Sequence, residues 1–136
     1  MGLRVSHNAF EASYPAFNRF RKFVLTSIGG SYPPHKQEDL DGNRWYWDTD
    51  MPFSSETHSG LTEFLCHSDC DGEISPEMCK VVADELESIL PYIEALEEKE
   101  SATGQLLARG GYVQVTKDFM DGCKEAHLKN EPLEFL

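Results

Sequence analysis

Hydrophobic and polar positions alternate over Gly2-Leu3-Arg4-Val5-Ser6 and again over Pro132-Leu133-Glu134-Phe135-Leu136, the two-residue period of a half-buried strand. The two segments are predicted to pair. Because an isolated strand pair is marginal in water, the small sheet they form needs helices packed on one face. The period then changes. From Tyr14-Pro15, with proline tolerated in a first helical turn, Phe17, Phe20, Val24 and Ile28 form one stripe at about 100° per residue, while Arg19, Lys22 and Thr26 face away. Gly29-Gly30 and the following Tyr32-Pro33-Pro34 end that helix. Arg21 breaks the pattern. It sits four residues after Phe17 and three before Val24, inside the apolar stripe, where a guanidinium must snorkel out, meet an acceptor or line a pocket.

Residues 31–60 are rich in Pro, Gly, Asp and Ser around Arg44-Trp45-Tyr46-Trp47, and read as a long connection holding one strand. A short helix is predicted from Ser59 to His67, with Leu61, Phe64 and Leu65 on one side. Ser75-Pro76-Glu77 carries an N-cap, a first-turn proline and an acid at the positive end of the dipole, so a helix restarts there. Cys79, Val82, Leu86, Ile89 and Ile93 supply its apolar side, and Pro91 is expected to kink or divide it. The acids from Glu94 to Glu100 read as a solvated face, and Ser101 to Gly111 as a loop. A last helix over 111–129 places Tyr112, Val115, Phe119, Met120 and Cys123 at helical spacing. Gly122 inside it implies close approach by another element. The expected fold is a compact, helix-dominated α+β single domain of residues 1–136, with a small sheet pairing the N- and C-terminal strands.

Composition narrows the partners. The 136 residues are 40 % hydrophobic and 11 % aromatic, enough for one real core. The net charge of −12 is polarised: residues 1–36 carry five basic side chains against one acidic, and residues 37–136 carry seven basic against 23 acidic. Such a surface repels nucleic acid and anionic membranes over most of its area, whereas the basic amino-terminal part suits a small anion or an acidic partner. No apolar run approaches the roughly 20 residues of a membrane span, and the amino terminus lacks the order of a secretory signal, so the expected location is the cytoplasm, with Cys66, Cys70, Cys79 and Cys123 reduced.

Candidate chemistry gathers in His67-Ser68-Asp69-Cys70-Asp71-Gly72-Glu73-Ile74-Ser75-Pro76-Glu77. Alternate acids, a glycine and an isoleucine follow the order of an EF-hand calcium loop, with Asp69, Asp71, the Glu73 carbonyl and Ser75 as ligands. Both anchoring positions depart from it: His67 stands where Asp belongs, and Met78 stands where the bidentate Glu belongs. The alternative is plain turn chemistry, with Gly72 left-handed and Ser75 capping the next helix. Zinc is a second metal reading, through His67, Cys70, Cys123 and His127. A small hydrolase using His67 as base with Asp69 orienting it, or Cys70 as nucleophile, is a third. The fourth is a ligand pocket of Tyr14, Arg21, Arg44, Trp45 and Trp47, joined by His67 and Asp69: aromatic faces stack on a planar ligand and a guanidinium forks onto a phosphate or carboxylate.

The opening Met1 to His7, the run Tyr14-Pro15-Ala16-Phe17-Asn18-Arg19-Phe20-Arg21, the block His67 to Ile74 and the ending Asn130 to Phe135 resemble a family of small uncharacterised bacterial and phage proteins. The resemblance implies a cytoplasmic accessory protein and no particular chemistry. Together these readings favour a non-catalytic binding protein that holds a small anionic or nucleotide-like ligand, or a host protein, without a cofactor. Calcium or zinc binding at the acidic loop is the alternative.

Overall fold

The computed structural model describes residues 2–39 and 42–136, with side chains for all of these except 37–39 and 42–44. The order of elements is β1 (Gly2–Val5), β2 (Phe10–Ser13), α1 (Tyr14–Ser27), β3 (His35–Asp39), β4 (Gly42–Tyr46), α2 (Ser59–Cys66), β5 (Glu73–Ile74), α3 (Pro76–Lys99), α4 (Gly104–Ala108), α5 (Tyr112–Leu128) and β6 (Leu133–Glu134). This is a helix-dominated α+β fold.

The termini do meet. Leu136 N donates to Arg4 O at 2.8 Å, Arg4 N to Leu136 O at 3.3 Å and Ser6 N to Glu134 O at 2.8 Å. On its other side the C-terminal segment pairs with β5, Ile74 opposite Leu133, while β1 pairs antiparallel with β2. The antiparallel pieces therefore run in the order β2, β1, C-terminal segment, β5. Leu3, Val5, Phe10, Ile74, Leu133 and Phe135 turn inward, and Gly2, Arg4, Glu11 and Glu134 face solvent, as a period of two requires.

Three helices close over the inner face. Ser13 caps α1 by accepting from Ala16 N, and Ser75 caps α3 by accepting from Met78 N. α3 lies against both α2 and α5. Phe17, Phe20, Phe64 and Phe119 meet at the centre with ring centroids 5.1 to 6.3 Å apart, mostly edge to face. Two glycines permit the closest approaches: a Cβ on Gly122 would lie 2.5 Å from Ala9 Cβ, and one on Gly60 would lie 2.8 Å from the Val81 backbone.

The ends of α2 and α5 are finished by other helices. Neither His58 nor Gly111, their N-cap residues, makes a side-chain cap bond. Instead Glu85 of α3 accepts from Leu61 N at 2.9 Å, and Glu97 of α3 accepts from Tyr112 N and from Val113 N at 3.3 Å. Two carboxylates from one helix thus satisfy orphan donors at the positive ends of two others.

Several expectations need correction. Pro91 does not divide α3, which runs unbroken from Pro76 to Lys99. Pro91 and Glu87, whose carbonyl loses its partner, both lie on the exposed face, where a carbonyl is open to solvent, while Ile89 and Ile93 keep the buried stripe continuous. The region 101–111 contains the short helix α4, and 31–60 contains a two-stranded ribbon instead of one strand. The segment after β1 turns at His7 and Asn8, both left-handed (φ 60° and 57°), and returns as β2. Asn is a familiar occupant of such a turn, but without glycine the signal is weak.

Gly122→Ala should lower stability by about 2 kcal/mol, because the added methyl overlaps Ala9. Urea denaturation followed by circular dichroism measures it.

Candidate functional site

Arg21 points inward, as its place in the stripe predicts, and is only 5 % exposed. Its Nη1 donates to His67 O at 2.6 Å and Phe64 O at 3.2 Å, the carbonyls at the C-terminal end of α2. Its Nη2 donates to Asn18 Oδ1 at 2.6 Å, and the guanidinium carbon sits 4.6 Å from the Phe17 ring centroid. Asn18 also accepts from the Tyr32 hydroxyl at 3.2 Å and donates to Asp69 Oδ2 at 3.0 Å. Arg21 Nε is the one buried side-chain nitrogen or oxygen without a partner among the described residues. Burial lowers the Arg21 pKa from its ordinary value, with Tyr32 and Asp69 opposing, and raises that of Tyr32. The neighbouring Cys66 thiol is pushed up to about 12, again by burial. The guanidinium is thus spent on holding α2.

Of the other residues of the expected pocket, His67 and Asp69 do lie beside Arg21, through the His67 carbonyl and through Asn18, whereas the aromatic ones are engaged elsewhere. Trp47 is in the core, its Nε1 donating to Thr62 Oγ1 at 2.9 Å. Trp45 is 39 % exposed on the β3–β4 ribbon, with Lys36 Nζ 5.6 Å from its ring. Tyr14 opens α1 and packs half-buried on the core. The Arg44 side chain lies outside the described residues.

In the acidic loop, each ring nitrogen of His67 faces a backbone carbonyl, Nδ1 at 2.9 Å from Ser68 O and Nε2 at 3.1 Å from Glu73 O, and the ring stacks on Phe135 with centroids 4.0 Å apart. Neither nitrogen faces Asp69, so the expected base-and-carboxylate pair is not assembled. Ser68 Oγ accepts from Cys70 N and Asp71 N, Gly72 takes φ +91°, and Ser75 is engaged as a cap. This is the turn chemistry that the sequence offered as the alternative. Among the described residues no three of His, Cys, Asp and Glu come together to hold a metal ion. The four residues of the zinc reading are dispersed. Cys123 is buried beside Cys79, His127 Nδ1 lies 2.9 Å from Pro76 O, and Cys70 is exposed. The Cys79 thiol donates to Ile74 O at 3.6 Å, and the closeness of the two thiols lowers the Cys79 pKa and raises that of Cys123.

A groove of about 790 Å³ opens elsewhere, between the β1–β2 hairpin, α4 and α5. Arg4, Glu11, Gln105, Arg109 and Asp118 carry its polar groups. Gln105 Oε1 accepts from Ser13 N at 2.8 Å, fastening α4 to the edge of β2, and Asp118 accepts from Gln114 Nε2 at 2.9 Å. Arg109 reaches Glu11 only at 4.0 Å, both side chains being well exposed, a contact of little energy. Among the described residues the Arg4 side chain makes no hydrogen bond or ion pair. Sequence reasoning counted Arg4 in the basic amino-terminal part but had no signal joining it to Arg109. A smaller hollow of about 330 Å³ beside Gly29, Trp47, Asp48 and Asp50 is acidic.

The fold and groove define an α+β domain with an open, polar, two-arginine cleft. No protein-family model, curated protein or solved structure matches the chain. Among the described residues no helix is long and apolar enough to cross a membrane.

Arg21→Met should cost about 3 kcal/mol, because the Phe64 and His67 carbonyls lose a charged donor while remaining shielded from water. Chemical denaturation monitored by tryptophan fluorescence reads the loss, and a change below about 1 kcal/mol contradicts this role.

Proposed function

We propose that this chain is a binding protein that receives a small anionic ligand in the groove between the β1–β2 hairpin and α4–α5. The observation that carries the reading is the uncommitted guanidinium of Arg4 in the same cleft as the weakly held Arg109, on a protein of net charge −12. A planar fork of N–H donors matches phosphate or carboxylate oxygens, and two forks facing one cleft select for more than one negative charge. Glu11 competes for Arg109 and yields to a ligand of higher charge. The surrounding acids hold nucleic-acid polyanions off by long-range repulsion, which suits the site to small ligands. In the bacterial and phage setting that the resemblance implies, such a protein works in the cytoplasm and keeps a small host metabolite or nucleotide out of circulation.

Thermal denaturation at low ionic strength with inorganic phosphate, pyrophosphate, citrate and adenosine monophosphate tests the reading. A ligand present at 100 times its Kd adds about 2.7 kcal/mol, a rise of several degrees in Tm. The expected result is such a rise for at least one polyanion, lost in Arg4→Ala/Arg109→Ala and kept in Lys80→Ala. No rise with any of them, or an equal rise in the double variant, removes the proposal.

A further inference from the structure

The tip of the β1–β2 hairpin carries a second constellation, separate from the groove. Ser6 Oγ lies 2.8 Å from His7 Nδ1, and His7 Nε2 lies 3.1 Å from Glu131 Oε1. An ionised carboxylate only accepts, so Nε2 must bear the hydrogen it shares with Glu131. In the neutral ring Nδ1 is then the acceptor and the Ser6 hydroxyl is its donor. A third contact agrees: Glu134 N donates to Ser6 Oγ at 2.9 Å, occupying one lone pair with a backbone N–H. The hydroxyl is polarised from both sides, its hydrogen toward a base and its oxygen toward a donor that favours an alkoxide.

Three chain segments are brought together to make this arrangement. His7 and Asn8 hold left-handed conformations (φ 60° and 57°), a turn that Ala9 N closes onto Ser6 O at 3.2 Å. Glu131 follows the left-handed Asn130 just past α5, where its own N–H donates to Ala126 O at 2.9 Å. Ser6 N donates to Glu134 O at 2.8 Å, which fixes the serine against the C-terminal segment. The His7 side chain is 13 % exposed and that of Glu131 52 %, so the base is sheltered while its carboxylate partner stands at the surface.

We infer that Ser6 is a reactive nucleophile toward acyl and phosphonyl groups, with His7 as its general base and Glu131 as the residue that positions His7. The order is a serine, histidine and acid relay in which the imidazole is used with its two nitrogens exchanged relative to the more usual arrangement; proton transfer through the ring is indifferent to that exchange. With a carboxylic ester, Ser6 Oγ bonds to the acyl carbon, its proton passes to His7 Nδ1, and His7 returns that proton to the departing alkoxide. Water then repeats the sequence, releasing the carboxylic acid and restoring Ser6. The inference reaches past a purely binding role and does not depend on the Arg4–Arg109 groove.

An alkyl fluorophosphonate reports the first half alone: the Ser6 O–P bond forms, the P–F bond breaks, fluoride leaves and the proton goes to His7. The full chain is treated with this probe, and the adduct is located by peptide mass mapping. The expected result is one adduct on Ser6, formed about 100-fold more slowly in His7→Asn, which keeps a residue suited to the left-handed turn, and roughly tenfold more slowly in Glu131→Gln. Glu131→Gln changes a half-exposed side chain and leaves the fold in place, so it decides the matter if His7→Asn melts early. A folded wild type unlabelled at Ser6, or labelling as fast in Glu131→Gln as in wild type, overturns the inference and leaves the network as a fastening of the hairpin tip to the C-terminal segment.

Discussion

Helix α2 is held at both ends by charge. It has only eight residues, too few to be stable alone, and its N-cap residue makes no side-chain cap bond. Glu85 from α3 meets its positive end through Leu61 N, and Arg21 from α1 meets its negative end through the Phe64 and His67 carbonyls. Each charge opposes the partial charge of the helix terminus it touches, and each replaces a bond the backbone cannot make for itself. Phe64 is carried into the aromatic centre by the same helix, so the core and the polar clamp are one construction.

That clamp extends into the acidic loop. Asn18 links the Arg21 guanidinium to Asp69, and His67, immediately past α2, stacks on Phe135 and faces Glu73 O. Phe135 N donates to Gly72 O, which ties the C-terminal segment to the loop, and the same segment pairs with β1. His67 and Asp69, which look like ligands or catalysts in sequence, are therefore taken up in joining α1, α2, β5 and the C terminus. Among the described residues, the groups proposed for chemistry lie elsewhere, in the Arg4–Arg109 groove and at the hairpin tip, where Ser6, His7 and Glu131 meet.

Legibility followed the range of the interaction. The inward turn of Arg21 and the span of α5 came from helical period, the starts of α1 and α3 from proline and capping signals, and the close approach at Gly122 from a glycine inside a helix. The role of Glu97 was hidden within a run of acids that reads as solvated, because a carboxylate that caps another helix leaves no periodic trace. The β1–β2 turn was hidden because His7 and Asn8 take the left-handed conformation without glycine. Ser6 and His7 are adjacent, but their acid is 124 residues from His7, and no local pattern announces it.

By itself the sequence determined which faces of the helices are apolar, where α1 and α3 begin, that the terminal segments alternate as strands, and that one cation falls inside an apolar stripe. These follow from spacing and from the fixed geometry of a turn of helix or a pleat of strand. Only the tertiary structure decided what that cation touches, which glutamates finish which helices, and which exposed side chains share a cleft. Those outcomes depend on distances between segments far apart in the chain, set by how the helices pack and not by any residue's neighbours in sequence.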